Sequence, residues 1–173
     1  MASKEPDFSI VNKVGDIEIR NYSPMIIAEV LVGGTMEAAS GSGFRMIADF
    51  IFGNNIAQSG NPEKIAMTVP VVISRSNTGW FFHFVMPAQY SLESLPKPNN
   101  PEVKIKQLKD RRCAVLRFSG KANEEKFNEK SAALIDWIKS EKLVMLGNPE
   151  LARYNPPWTL PFLRRNEIMI EIE

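Results

Sequence analysis

The chain has 173 residues, 44% hydrophobic and 24% charged, with 21 basic against 20 acidic side chains and a formal net charge of +1. These totals suit one large globular domain or two fused halves, and exclude both a strongly basic nucleic-acid surface and an acidic disordered tail. One cysteine, Cys113, excludes an internal disulfide framework, and one histidine, His83, excludes a multi-histidine zinc centre.

The opening residues, MASKEPDFSIV, lack the apolar core of a secretory leader, and no apolar run reaches the ~20 residues that span a bilayer. A cytoplasmic location is the expectation, although MASK also reads as the replacement of a removed leader. FSIVNKVGDIEIRNY carries strand signals, with a turn at Gly15-Asp16 and alternation at Ile17, Ile19 and Tyr22. Ser23-Pro24 interrupts it and MIIAEVLV follows, so these two runs are expected to pair as a hairpin ended by Gly33-Gly34. Residues 36–53 predict a first helix with Gly53 as its stop. Gly41 and Gly43 each weaken it by about 1 kcal/mol relative to alanine, which predicts a bent or frayed start. NNIAQSGNPEK reads as a surface loop.

IAMTVPVVISR and TGWFFHFVMP are the next expected strands, joined by a polar turn at Ser76–Gly79. In the second, Trp80, Phe82, Phe84 and Met86 face one way and Phe81, His83 and Val85 the other, so the strand is buried on both sides. AQYSLESLPKPNNP is a proline-rich crossing. From Val103, two strands lead to the helix NEEKFNEKSAALIDWIKSEK, capped by Asn123, with a buried stripe of Phe127, Ala133 or Leu134, and Ile138. LARYNPPWTLPFLRRNEIMIEIE closes the chain as two short strands around a proline-broken loop.

The chain reads as one half written twice. Displaced by 86 positions, IEIRNYSPMIIAEVLVGG falls on VKIKQLKDRRCAVLRFSG, with Ile17 on Val103, Ile19 on Ile105, Ala28 on Ala114, Val30 on Leu116 and Gly34 on Gly120. The fold class is therefore α+β: a distorted antiparallel β-barrel of about eight strands flanked by two helices. It is built from two β-β-α-β-β repeats with pseudo-two-fold symmetry. Repeat 1 spans about 8–87, the crossing 88–101 and repeat 2 about 102–173. A groove is expected where the halves meet.

Chemistry is sparse. His83, within a buried strand, is a core imidazole or a groove ligand. Glu18, Glu29, Glu37 and Asp49 show no paired spacing for acid/base work. Glu29 lies on the solvated face of its strand or in a groove. GGTMEAASGSG has no lysine at phosphate-loop spacing. Cys113, in an apolar strand, reads as an inert buried thiol. On the first helix Phe44, Ile47, Ala48 and Ile51 form one stripe, and Met46 and Phe50 project nearly opposite. A helix apolar on two sides is either sandwiched, here by the C-terminal loop, or faces a ligand. In NPPWTLPFLRR, Trp158, Leu160, Pro161 and Phe162 stand beside Arg164 and Arg165, which suits a flat apolar ligand with carboxylates or a loop that covers the sheet.

Taken together, IEIRNYSPMIIAEV, FRMIADFIFGNN with IAMTVPV, FVMPAQYSLESLPKPNNPEV and ARYNPPWTLPFLRRNEIMIEI resemble the SOUL haem-binding family. The resemblance covers nearly the whole chain. It implies a distorted barrel of two repeats that binds haem or another tetrapyrrole between the first helix and the late loop. One wall would hold Phe44, Arg45, Met46, Ala48 and Phe50. The other would hold Trp158, Leu160 and Phe162, with Arg164 or Arg165 near the propionates. Neither element carries a histidine, so axial ligation would fall to Met46 or Tyr154, or be absent. The implied protein is a soluble, non-catalytic, monomeric haem carrier or buffer, with no nucleic-acid partner and no membrane span. The same strand plan resembles gyrase-inhibitor-like effector-binding domains, for which Glu29 in a groove would be the marker. An enzyme on this scaffold would need an acid/base pair.

Overall fold

The structure is a computed structural model that describes residues 4–173. Eleven strands and two α-helices follow in chain order among the described residues. The strands of the first half are β1 (Phe8–Val14), β2 (Ile17–Tyr22), β3 (Met25–Val32), β4 (Asn55–Ile56), β5 (Val71–Arg75) and β6 (Trp80–Val85), with α1 (Met36–Ile51) between β3 and β4. Then come β7 (Lys97–Pro98), β8 (Lys104–Leu108), β9 (Arg111–Phe118), α2 (Glu124–Ser140), β10 (Glu150–Arg153) and β11 (Asn166–Ile172).

Nine strands form one curled antiparallel sheet in the order β1-β2-β9-β11-β10-β5-β6-β3-β8, a half-barrel whose end strands do not pair with each other. β4 and β7 form a separate short ribbon. β3 and β9 are offset by the 86 positions that the sequence displacement uses. With β1 left aside, which has no counterpart, exchanging β2 with β8, β3 with β9, β5 with β10 and β6 with β11 reverses the strand order.

The turn at Gly15-Asp16 does join a hairpin, β1 with β2, and Gly15 takes φ +60° there. The expected pairing of β2 with β3 does not occur. β2 pairs with β9, while β3 pairs with β6 and β8, so β2 of the first half joins β9 and β8 of the second half joins β3. Ser23-Pro24 is thus a crossing between half-sheets, and pairing across the two halves replaces the hairpin. Tyr22 also faces opposite to Ile17 and Ile19, on the side of Glu18 and Arg20, as strict alternation along β2 requires. The expected strand from Ile65 begins only at Val71, because Pro70 has no N–H to give a ladder.

α1 packs on β3 and β6, and α2 packs on β9 and β11. α1 is unbroken from Thr35, whose Oγ1 accepts from Ala38 N–H, to Ile51. The expected fraying at Gly41 is absent because Gly43 rests directly on the Phe82 ring, where a Cβ would lie 2.5 Å from Cγ. Tertiary packing overrides the propensity cost of the glycines. In α2, Asn123 caps and Phe127, Ser131, Leu134 and Ile138 are buried, which selects Leu134 over Ala133 for the stripe. The main core lies between sheet and helices: Ala28, Val30, Ile73, Phe82, Phe84, Ala114, Leu151, Ile168 and Ile170 from the sheet meet Ile47, Phe50, Phe127 and Leu134. A smaller cluster on the opposite sheet face joins Tyr22, Val72, Cys113, Val115, Ala152 and Met169. No helix among the described residues is long and apolar enough to cross a membrane.

Candidate functional site

A pocket of ≈ 330 Å³ opens where α1, the segment before α2 and the loop between β10 and β11 meet. Glu37 and Ser40 come from α1, Lys121, Ala122 and Asn123 from the approach to α2, and Asn155, Pro156, Pro157 and Arg164 from the loop. Arg153, the last residue of β10, and Asn166, the first of β11, form its floor. The Arg153 guanidinium donates from Nη1 to Ser40 Oγ at 3.2 Å and from Nη2 to the Ala122 carbonyl at 3.0 Å. Its Nε is buried with no acceptor. Burial holds Arg153 below the usual arginine range, and neighbouring Glu37 only partly offsets this.

The loop itself is stiffened from inside. Arg164 donates from Nε to the Thr159 carbonyl at 2.8 Å and from Nη2 to the Pro157 carbonyl at 2.7 Å, and Pro161–Leu163 close a 3-10 turn. The loop's apolar side chains are left in water: Trp158 is 84% exposed, Phe162 71%, Leu163 62% and Leu160 56%. On α1, Phe44 is 42% exposed and sets its ring edge-on to Phe84, with centroids 5.8 Å apart. Arg45 is exposed and donates to Ser42. Met46 is partly buried against the main core.

Phe50 is buried in that core, so the second apolar face of α1, Met46 and Phe50, is covered; Ala48, on the other stripe, is buried as well. The cover is the segment after the helix rather than the C-terminal loop. Asn55 Nδ2 donates to the Phe50 carbonyl, Ile65 N–H donates to the Ile51 carbonyl, and Ile65 joins Phe50 in the core. The α1 residues that share the pocket with the loop are therefore Glu37 and Ser40, one to two turns before Phe44. Of the two adjacent arginines, Arg164 lines the pocket. Arg165 turns to the other sheet face, where it meets Glu167 at 3.1 Å and Glu5 at 2.7 Å and lies 3.8 Å over the Tyr154 ring.

That opposite face carries a charge network that sequence reading passed over. Glu167 is fully buried and accepts two bonds of 2.8 Å from Arg20, which also donates to the Tyr22 hydroxyl. Burial pushes the Glu167 carboxyl up, but Arg20 and Arg165 outweigh it and hold it below the ordinary range. The strand IEIRNY shows the polar side in its alternation at Glu18 and Arg20. Its partner stands 147 positions away, beyond any local pattern. Glu29 is neither solvated nor a free groove carboxylate: it pairs with Lys106 at 2.5 Å. His83 lies on this same face of β6, opposite Glu29 on β3 and Val72 on β5. Burial lowers its pKa to about 4, so the imidazole is neutral at pH 7. Alternation along β6 points it away from α1, which corrects any role for it at the α1 pocket. Tyr154 packs with the same second cluster, its hydroxyl pushed up by burial beside Glu167, and it too is turned away from α1. Cys113 is fully buried and its thiol is pushed up to about 12 by burial. Among the described residues no group of three His, Cys, Asp or Glu side chains is placed to hold a metal.

The family model described as SOUL heme-binding protein matches residues 3–171. No curated protein sequence matches the chain. Among solved structures, the chain is similar to the EcmrR C-terminal domain, with TM-score 0.68 and 8% identity over 91% of this chain and 96% of that one. It is similar to the EcmrR chain of an EcmrR–DNA complex, with TM-score 0.69 and 9% identity over 91% of this chain and 57% of that one. A hydrolase from Listeria innocua matches with TM-score 0.59 and 12% identity, over 100% of this chain and 94% of that one. At such identities these likenesses show the fold alone.

Proposed function

The chain belongs to the SOUL heme-binding protein family, and we propose that it is a soluble, non-catalytic tetrapyrrole binder that buffers or transfers haem. The observation that carries this reading is the loop after β10. It leaves Trp158, Leu160, Phe162 and Leu163 largely in water beside a pocket bearing Lys121, Arg153 and Arg164. An apolar patch against a cationic pocket suits a flat apolar ring that carries carboxylates. Phe44 and Arg45 on α1, with Met46 behind them, supply the facing wall. Phe50, from within the core, and the buried Ala48 support that wall.

The residues present fit such a group at its apolar body and its carboxylates, and offer it no imidazole. Affinity then rests on buried apolar area, at ~25 cal/mol per Å² less the cost of association. The non-catalytic reading is supported by the pairing of Glu18, Glu29, Glu150 and Glu167, each held by a cation within 3.1 Å. The Glu29–Lys106 pair also removes the free groove carboxylate that a receptor for organic cations would use.

The test is a haemin titration of the purified protein by visible absorption, with albumin and an unrelated domain as controls. A saturable one-to-one Soret change, competed by metal-free protoporphyrin, is the expected result. No saturation beyond the controls would overturn the reading.

A further inference from the structure

We propose that the pocket walled by Lys121, Arg153 and Arg164 is an anion subsite that takes a carboxylate arm of the bound ligand. The inference deepens the tetrapyrrole reading and rests on it for the identity of the ligand's apolar body.

Arg153 and its pocket neighbour Arg164 are the exceptions among the buried and half-buried arginines in lacking a carboxylate partner. Arg20 holds Glu167 through two bonds of 2.8 Å, Arg111 holds Glu150 at 2.7 Å, and Arg165 holds Glu167 and Glu5. Burial pushes each of these three down, yet the carboxylates more than reverse it and all three end above the ordinary range. Arg153 has only a hydroxyl and a carbonyl as partners, and ends below that range. Arg111 also has a bare Nε, but Glu150 neutralises its charge. A guanidinium taken out of water with no carboxylate bonded to it, and Glu37 offsetting its burial only in part, is costly, and it is the arrangement expected of a group whose anion arrives from outside.

The surroundings have the matching sign. Arg164 spends two donors on backbone carbonyls, and neither it nor Lys121 takes part in an ion pair among the described residues. The one acid of the lining, Glu37, is turned to the Glu124 N–H at 3.4 Å. Ser40, Asn123, Asn155 and Asn166 complete a polar wall. At ≈ 330 Å³ the space sits at the low end of the ~300–1,000 Å³ of small-molecule pockets, which suits an arm of a ligand better than the whole of a macrocycle. Ser40 and Phe44 are four apart on α1 and so share a face, and Pro157 leads into Trp158. An anion held by Arg153 therefore places the rest of its molecule against apolar surface.

The experiment compares protoporphyrin IX with its dimethyl ester, which lacks the charge, by fluorescence titration of wild type, Arg153→Gln and Arg153→Lys. In wild type the ester is expected to bind roughly tenfold more weakly, the scale of one charge-assisted hydrogen bond. Arg153→Gln should weaken the diacid to the level of the ester and leave the ester unchanged, with Arg153→Lys restoring part of the difference. Equal binding of diacid and ester in wild type, or equal weakening of both in Arg153→Gln, would overturn the subsite. Where Arg153→Gln fails to fold, Lys121→Gln with Arg164→Gln serves in its place. If neither porphyrin binds, the tetrapyrrole reading fails and the subsite is judged alone by inorganic phosphate. A rise in Tm in wild type that is lost in the variant supports it, and no rise refutes it.

Discussion

Two glycines two residues apart in α1 should respond to the same substitution with opposite signs. Each glycine costs the helix about 1 kcal/mol relative to alanine, so Gly→Ala gains about that much if the added methyl has room. At Gly41 it has room, since the nearest atom to a built Cβ is the flexible end of Arg45 at 3.6 Å. At Gly43 the Cβ would lie 2.5, 2.7 and 2.8 Å from three atoms of Phe82. Phe82 is 1% exposed and packs against Phe84 with ring centroids 5.7 Å apart, so it has nowhere to move. Overpacking of this kind costs typically 1–3 kcal/mol, and here the upper part of that range applies. Net of the propensity gain, Gly43→Ala should lose about 1–2 kcal/mol and Gly41→Ala should gain about 0.5–1 kcal/mol. Urea unfolding at constant m measures both. In thermal unfolding each 1 kcal/mol corresponds to about 2–4 °C for a chain of this length. A Gly43→Ala protein as stable as wild type would refute the argument that close approach of α1 to β6 is why glycine stands there.

Glu167→Gln leaves the buried Arg20 guanidinium with Glu18 as its one remaining carboxylate and should destabilise by about 3 kcal/mol, the low end for a broken buried pair, read from urea midpoints. Because Glu167 titrates below its ordinary range when folded, its contribution is present above the unfolded carboxylate pKa and disappears as pH falls through the lower folded value. His83 adds a separate acid limb. With a folded pKa of about 4 against 6.5 unfolded, the unfolded chain takes up the proton first as pH falls. Stability should therefore drop by about 2 kcal/mol between pH 7 and pH 5, and His83→Gln should flatten that slope. An unchanged slope would show that the imidazole is not desolvated. Replacing Trp158 and Phe162 together by alanine should leave Tm nearly unmoved, since both are exposed, while haemin affinity falls roughly tenfold. Unaltered affinity would remove the loop from the site.

Much of the fold was legible because it is written in local terms. Alternation marked WFFHFV as buried on both sides, Asn123 announced the start of α2, and Gly15-Asp16 its hairpin turn. What was not legible is long-range. Nothing local distinguishes β2 pairing with β3 from β2 pairing with β9, since either satisfies the same Ile17 and Ile19. The role of Gly43 depends on Phe82 of another element, and propensity alone misread it. At the site, Arg164 and the aromatic loop stood out by composition, whereas Arg153 looks in sequence like any strand-end arginine. Its distinction is the carboxylate it lacks, which only the packed structure shows.

The pairing of β2 with β9 and of β8 with β3 has a consequence for the order of folding. β2 meets β9 only after residue 118 has been made, and β3 waits for β8 to cover its outer edge. A chain emerging N-terminus first therefore holds open strand edges until β9 has been made. Neither half can complete its sheet alone, so contacts of large sequence separation must form before the core closes, which slows folding. Each half also carries a strand that its counterpart in a second molecule accepts equally well. At high concentration the characteristic failure of this chain should thus be a strand-exchanged dimer, seen by light scattering during refolding and suppressed by dilution.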